Sequence, residues 1–430
     1  MRGPLWHQPE FLKLWAGSSI SMLGSQITVL ALPLTAVLLF QAGPAETGIL
    51  TAAGVAPMLL FGLPAGAWVD RLPRRPVRIA ADLASALVIA SVPLAALLGV
   101  LQLTQLYIAA FLAGTCAVWT RLSVSAMLPS LVGRENLLEA NSKTMVSFSV
   151  AQIAGPSLAG ILVQAFSAPL ALLADAASFV VSAVCVWRVR LDEPRSATKG
   201  RQSIWHDVVA GVRWLRGEPI LFRLTLSIGL ANLAWYGVLA VIVVYATNEL
   251  QVPPALLGLT LGAIGPASLV GALVAGRVAQ RLGLGPTLVL SLSGEALSRV
   301  ILVIAAGTPE FAALCIALSQ ALFGFIAPLW DVNAGSLRQS ATPERLLGRV
   351  SAATMFISVG MAPVGALLTG WIGDVAGLRA ALIGTLFVTL IALLVLVRSP
   401  VPRLRDPAAA SRQGRALAER QLAERAAEGG

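Results

Sequence analysis

About twelve apolar runs, each long enough to cross a lipid bilayer, divide this 430-residue chain. The approximate spans are 14–40, 47–69, 78–100, 103–127, 144–166, 169–190, 220–247, 255–276, 285–307, 310–332, 349–372 and 377–397. A bilayer's hydrocarbon core needs roughly 20 apolar residues in a helix to span it. Inside lipid every backbone N–H and C=O must be satisfied by the protein itself, which leaves helices or a closed barrel. Runs of this length read as helices, so the expected fold class is an all-α polytopic membrane protein with twelve transmembrane helices. Prolines within the runs, such as Pro33, Pro57, Pro93, Pro156 and Pro363, mark bends rather than ends, because neighbouring helices can satisfy the freed backbone groups. Met1 to Lys13 is short and polar, and the first run is too long for a signal peptide core, so no cleavable signal is expected.

Charge fixes the expected orientation. Only 12% of the residues are charged, about half the usual share of a soluble domain. Arg71, Arg74, Arg75, Arg78, Arg134, Lys143, Arg195, Lys199, Arg201, Arg277, Arg281, Arg338, Arg345 and Arg349 fall in one set of loops. The other set holds Glu46, Glu249, Glu310 and Asp374 and a single base, Arg379. The positive-inside rule places the first set, and both termini, in the cytoplasm. The net charge of +10 is thus a matter of topology and does not point to nucleic acid.

Enzymatic chemistry finds no foothold. Cys116, Cys185 and Cys315 all lie in apolar runs without ligand spacing, and the histidines are only His7 and His206. There is no nucleophile–base set, no metal cluster and no phosphate-binding Gly-x-x-x-x-Gly-Lys-Ser/Thr loop. No cofactor or metal is expected.

The loop from Leu191 to Gly217 divides the runs six and six. Four regions follow: a six-helix bundle over 1–190, a cytoplasmic linker over 191–218, a second bundle over 219–398 and a tail over 399–430. Pro194–Gly200 reads as flexible. Ser203 to Arg216 reads as an amphipathic helix, with Ile204, Trp205, Val208, Val209, Val212 and Leu215 on one face. It either lies along the inner membrane surface or packs on the bundle.

One loop is rich in information: Gly66-Ala-Trp-Val-Asp70-Arg71-Leu-Pro-Arg74-Arg75 joins the second and third runs. A fainter copy, Gly276-Arg-Val-Ala-Gln280-Arg281-Leu-Gly283, follows 210 residues later, and Arg134-Glu-Asn-Leu137-Leu138 matches Pro343-Glu-Arg-Leu346-Leu347 at an offset of 209. Two related halves suit a transporter that rocks about a midplane site. Asp70 would sit at a helix C-terminus, where the dipole disfavours a carboxylate, so it should seek an arginine or another helix's N-terminus. Gly66, one turn earlier, lets a neighbouring helix approach. The group reads as a breakable charge latch; the arginines alone would equally serve topology.

The motif resembles the signature of the major facilitator superfamily, Gly-x-x-x-Asp-Arg-x-x-Arg-Arg, matched by Gly66, Asp70, Arg71, Arg74 and Arg75. The resemblance implies two pseudo-symmetric six-helix bundles, with Asp70 docking near Gly348 and Arg349 in one access state. Gln280 in the second copy departs from the pattern. Ser125-Ala-Met-Leu-Pro129-Ser-Leu-Val132, Glu139-Ala-Asn141, Gln152-Ile-Ala-Gly155-Pro156 and Ala174-Asp175-Ala-Ala-Ser178-Phe179 resemble the branch that contains the enterobactin exporter and the macrolide efflux proteins. Gly155, Pro156 and Gly160 approximate the fifth-helix pattern of drug antiporters, with Ala159 where a second glycine is usual. Their small side chains would in any case permit close packing. Relatives often carry an acid where Ser25 stands, so a proton-carrying role is lost there.

Intramembrane charges are expensive and mark candidate functional positions. Glu295 and Arg299 lie four residues apart and can pair, to bind substrate, to exchange a proton or only to neutralise each other. Asp175 is either a proton site or a packing carboxylate. Arg121 is either a coupling residue or snorkels to the inner surface. Asp82 is expected to pair with Arg78, and Asp331 to gate or cap the tenth helix. Ser18, Ser21, Ser25, Gln26, Thr28, Asn232, Tyr236 and Gln320, with Trp235, are expected along the pathway. The resulting expectation is a monomeric secondary transporter of the cytoplasmic membrane that exports a small amphipathic molecule (drug, macrolide or siderophore class) by proton antiport. Lipid, substrate and protons would be its partners. The alternatives are a passive facilitator or importer of the same fold, or a membrane receptor or scaffold.

Overall fold

The computed structural model describes residues 4–69, 72–133, 135–190 and 204–405, with the side chains of 63–69, 204–207 and Arg345 left aside. Asp70, Arg71, Arg134, residues 191–203 of the linker and the tail beyond Arg405 lie outside the described residues.

Fourteen α-helices account for nearly all of the described chain. The first half contains α1 (Pro9–Phe40), α2 (Pro44–Val69), α3 (Arg74–Leu97), α4 (Leu103–Val132), α5 (Leu137–Ala165) and α6 (Ala168–Trp187). The linker forms α7 (Ile204–Arg216). The second half contains α8 (Pro219–Val244), α9 (Pro254–Gly262), α10 (Ile264–Leu282), α11 (Leu284–Val303), α12 (Pro309–Ala341), α13 (Leu347–Ala376) and α14 (Leu378–Val397). α9 and α10 make one span broken at Ala263, which gives 12 candidate spans among the described residues. Prolines in the first turn begin α1, α8, α9 and α12, where a missing N–H costs nothing. Ser167 and Thr308 cap α6 and α12 by accepting from the Leu170 and Phe311 N–H groups.

Within the first half α1 packs on α5 and α6, α3 on α4 and α6, and α2 on α4. The second half repeats the plan, with α8 on α13 and α14, α11 on α12 and α14, and α10 on α12. The outer faces stay apolar and exposed, as at Leu87, Trp371 and Phe387. An apolar girdle of this extent is stable against lipid rather than water.

The halves meet along two seams, α2 against α13 and α5 against α9. Both seams are tight at the end of the molecule where α2 and α9 begin, far from the arginine-bearing loops. α7 seats on α13: Val208 and Leu215 are buried, Val212 packs beside them, and Gly211 lies against the Arg349 carbonyl. The expected packing on the bundle surface is observed.

Candidate substrate cavity

With one end sealed, the opposite half of the molecule holds a cavity of about 990 Å³ between the bundles. α5 contributes Met145, Phe148 and Gln152 to its wall; α8 contributes Asn232, Trp235 and Tyr236. Glu295 of α11, Phe323, Trp330, Asp331 and Arg338 of α12, and Met355 and Ser358 of α13 complete it. Trp330, Asp331 and Arg338 of α12, and Met355 and Ser358 of α13, lie toward the arginine-bearing ends of their helices, and Gln152, Asn232, Trp235, Tyr236, Glu295 and Phe323 lie near the middle of theirs, so the cavity runs from mid-span toward that end.

The Glu295–Arg299 pair forms as its spacing implies, with Arg299 Nη2 2.7 Å from Glu295 Oε1. Both residues are buried. Arg299 Nη1 also donates to Ser298 Oγ at 3.3 Å, while Nε has no hydrogen-bond partner. Two aromatic rings supply further stabilisation. Trp235 and Phe323 stack with centroids 3.9 Å apart and planes 3° from parallel. The Arg299 guanidinium stands 5.9 Å from the Trp235 ring and 5.5 Å from the Phe323 ring. Cation–π attraction operates at this range and strengthens in a dry site. Glu295 thus faces the cavity while its counter-charge sits behind it, under an aromatic plate.

Asp331 also faces the cavity and is exposed. α12 continues to Ala341, so Asp331 lies well inside the helix, and the expectation of a residue near the helix end is corrected. Arg121 is exposed on α4.

Asp175 lies elsewhere. It is 1% exposed in the α1–α6 interface. Thr28 Oγ1 donates to its Oδ2 and Ser178 Oγ lies 3.1 Å from its Oδ1. Gly24 leaves the room for this cluster, since a Cβ there would strike the side chains of Ser178 and Asp175. No cation pairs with Asp175 among the described residues. Asp82 differs: Arg78 Nε is 2.9 Å away, Ser182 Oγ donates at 2.7 Å and Thr120 Oγ1 at 3.3 Å. Arg78, Asp82 and Ser182 are all buried, and the carboxylate meets its cation and two hydroxyls there, as a buried ion pair requires.

Several expected pathway residues do not line this cavity. Ser18 and Ser21 are buried in α1, with Ser21 donating to the Ser18 carbonyl, and Thr28 serves Asp175. Gln320 is buried in α12. Small hydroxyls on a helix satisfy themselves against a nearby carbonyl, so polarity alone does not mark a lumen. Asn232, Trp235 and Tyr236 do line it. Phe323 escapes the sequence because stacking across helices leaves no trace in spacing, and Arg338, expected in a loop, lies in the last turns of α12 and lines the cavity.

Of the latch group, Arg74 Nη1 donates to the Ala126 carbonyl at 2.8 Å and Arg75 Nε to the Val186 carbonyl at 3.3 Å. Both arginines thus pin α3 to the ends of α4 and α6. Gly155 lies against Gln26, and Gly160 against Gly258 of the other bundle, with Pro156 between them in sequence.

Comparison with known proteins agrees with this architecture. A family model described as a transmembrane secretion effector matches residues 3–428. The multidrug efflux pump Tap of Mycolicibacterium fortuitum is 28% identical over 413 residues, covering 94% of this chain and 97% of Tap. The enterobactin exporter EntS of Salmonella choleraesuis (strain SC-B67) is 30% identical over 285 residues, 64% of this chain and 66% of EntS. Among solved structures, a mutant form of the nucleoside transporter NupG superposes with a TM-score of 0.76 at 12% identity, over 90% of this chain and 99% of that one. A bacterial homologue of the iron transporter ferroportin in its inward-facing state gives 0.68 at 22% identity, over 92% and 99%. At these identities the structures speak for the fold alone.

Proposed function

Because the chain belongs to the transmembrane secretion effector family of the major facilitator superfamily, a family of transporters rather than enzymes, we propose that it exports a small amphipathic molecule by proton antiport across the cytoplasmic membrane. The observation that carries this reading is the cavity of about 990 Å³, apolar and aromatic along most of its wall and open at one end only. Residues 1–190 and 219–398 act as the two rocking bodies, and the arginine-bearing end, with both termini, faces the cytoplasm. The described state is then inward-facing. Tap and EntS, an efflux pump and an exporter by name, support the outward direction.

Asp175 carries the proton. It is the buried carboxylate with only hydroxyl donors around it, so protonation leaves no orphaned cation. It also bridges α1 and α6, where a change in its charge acts on helix packing. Asp70 and Arg71 serve as the latch of the outward-facing state, with Gly66 admitting the neighbouring helix. A potential of 100 mV is worth about 2.3 kcal/mol per charge moved, enough to drive accumulation.

Inverted vesicles holding the protein test the reading with ethidium, rhodamine 123 and rhodamine 110 as fluorescent amphipaths. Accumulation of any of them that collapses with the proton gradient, and that is lost in Asp70→Asn, supports it. No accumulation of any dye, or accumulation indifferent to an uncoupler, refutes it.

A further inference from the structure

The two seams between the bundles differ in length. α2 stays against α13 from Gly48 to Gly62. A Cβ on Gly360 would stand 3.5 Å from Leu59 Cδ1, and one on Gly62 would stand 3.6 Å from Met355 Cε, both ordinary contacts. From Gly48 to Gly62 is about 21 Å of helix. α5 lies against Gly258 of α9 at Gly160, and against α10 at Ile153, whose backbone nitrogen a Cβ on Gly265 would meet at 2.8 Å. From Gly160 to Ile153 is only about 10 Å. Beyond Ile153 the faces that were in contact become walls of the cavity: Met145, Val146 and Ser149 on α5, and Ser268, Leu269 and Ala272 on α10. These positions continue the contact faces at helical spacing, so the two helices part there and the open end of the cavity extends up between them.

This cleft is continuous with the lipid-facing girdle. Val146 lines the cavity, and Val150, one turn along, is exposed outside it. Leu269 lines the cavity, and Leu273, one turn along, is exposed outside it. Each helix thus carries apolar side chains from the cavity round to the outer surface. Arg277 is exposed on α10 and marks the level of the lipid headgroups. From Gly265 to Arg277 is about 18 Å of helix, close to one leaflet's share of a hydrocarbon core roughly 30 Å thick. The cleft therefore faces hydrocarbon over about one leaflet. Two intact helices frame it, so no unpaired backbone meets the lipid. α5 and α10 bring no charge to the cavity lining, whereas Glu295, Asp331 and Arg338 all stand on α11 and α12. An apolar flank toward lipid and a charged flank opposite it suit a chain that enters from the side.

We infer that α5 and α10 frame a lateral portal through which an acyl chain of the leaflet on the arginine-bearing side enters the cavity. A cargo with an alkyl chain can then leave the leaflet without crossing water, its polar end turned to α11 and α12. That consequence rests on the export reading; the portal itself does not.

Contact quenching by lipid makes the test. The full-length protein, with Cys116, Cys185 and Cys315 replaced by Ala, carries a bimane on one introduced cysteine. It is reconstituted into phosphatidylcholine vesicles whose acyl chains are either ordinary or brominated. Ala272→Cys reports the cavity side of the portal, Leu273→Cys the outer surface, and Ser358→Cys the α13 wall beyond the charged flank. Brominated lipid should quench the label at Ala272 nearly as strongly as at Leu273, and more strongly than at Ser358. Val146→Trp fills the gap, so quenching at Ala272 should be lost while quenching at Leu273 persists, which also reports a folded protein in lipid. Quenching at Ala272 no greater than at Ser358, or quenching there that Val146→Trp leaves unchanged, overturns the portal. Dye accumulation in inverted vesicles is a separate readout: its absence with Ala272 quenched refutes export and leaves the portal standing.

Discussion

Gly160 and Gly258 meet backbone to backbone across the seam between the bundles. A Cβ on Gly160 would stand 3.1 Å from the Gly258 Cα, and one on Gly258 would stand 3.0 Å from the Gly160 Cα. The other seam repeats this contact: a Cβ on Gly48 would lie 3.1 Å from the Gly370 Cα, and one on Gly370 3.0 Å from the Gly48 Cα. Gly48 and Gly258, and Gly160 and Gly370, are each 210 residues apart. The seal is thus one interaction used twice by the internal symmetry, with small residues allowing the helices to approach as in other membrane bundles.

Gly258→Val therefore loosens the seal without touching the cavity. Overpacking costs about 1–3 kcal/mol, a shift of roughly five- to 150-fold between access states. The state described here should lose population. A Ser358→Cys probe in the cavity wall should then react more slowly with a bulky maleimide in Gly258→Val than in the otherwise native background. Unchanged reactivity would mean that the glycine contact does not set the conformational balance.

Asp175→Asn keeps the shape of the α1–α6 cluster and removes the titratable group. Exchange of dye between the two sides should persist, while accumulation driven by a proton gradient should fall about tenfold or more, in line with the loss of one coupled charge. If Asp175→Asn still accumulates dye against a gradient, the proton travels by another residue, with Glu295 next in line. Thr28→Val should leave the carboxylate short of a donor and cost about 1–3 kcal/mol of stability, measured by thermal unfolding.

Arg78 and Asp82 make the contrasting case of a buried charge pair partnered within its own bundle. Arg78→Leu leaves a fully buried carboxylate with only the Ser182 and Thr120 hydroxyls, and should destabilise by about 3–5 kcal/mol. Replacing both residues by leucine should recover most of that loss. Thermal unfolding of the single and double variants decides it: an additive double variant would show that the two charges are not coupled.

The sequence spoke most clearly where a signal repeats along one helix. The span expected over 103–127 runs to Val132, yet each of the 12 spans is legible because lipid demands one long apolar run per crossing. Arg78–Asp82 and Glu295–Arg299 were legible for a similar reason, since four residues make one helical turn. What joins distant helices was not. Thr28 reaches Asp175 across 147 positions, and Phe323 reaches Trp235 from another helix, with no local spacing to announce either. Ser21, expected along the pathway, donates to the Ser18 carbonyl instead of lining the cavity, because a hydroxyl in a span can turn either to a lumen or to its own backbone. Asp70 and Arg71, the most informative residues in the sequence, lie outside the described residues, and their latch stands on the motif alone.

The aromatic plate supplies the last prediction. Trp235 and Phe323 serve two purposes at once, a surface facing the cavity and a cover for the Arg299 guanidinium. Trp235→Ala removes both, whereas Trp235→Phe keeps a ring in place. Dye affinity should fall about tenfold in Trp235→Ala and stay near native in Trp235→Phe, the scale of losing one well-placed aromatic contact at a binding site. Because the two rings act as one surface, Phe323→Ala should add little to Trp235→Ala, with a coupling of about 0.5–1.5 kcal/mol in a double-mutant cycle. Strict additivity would show that ligand meets only one of the rings and that their stacking serves Arg299 alone.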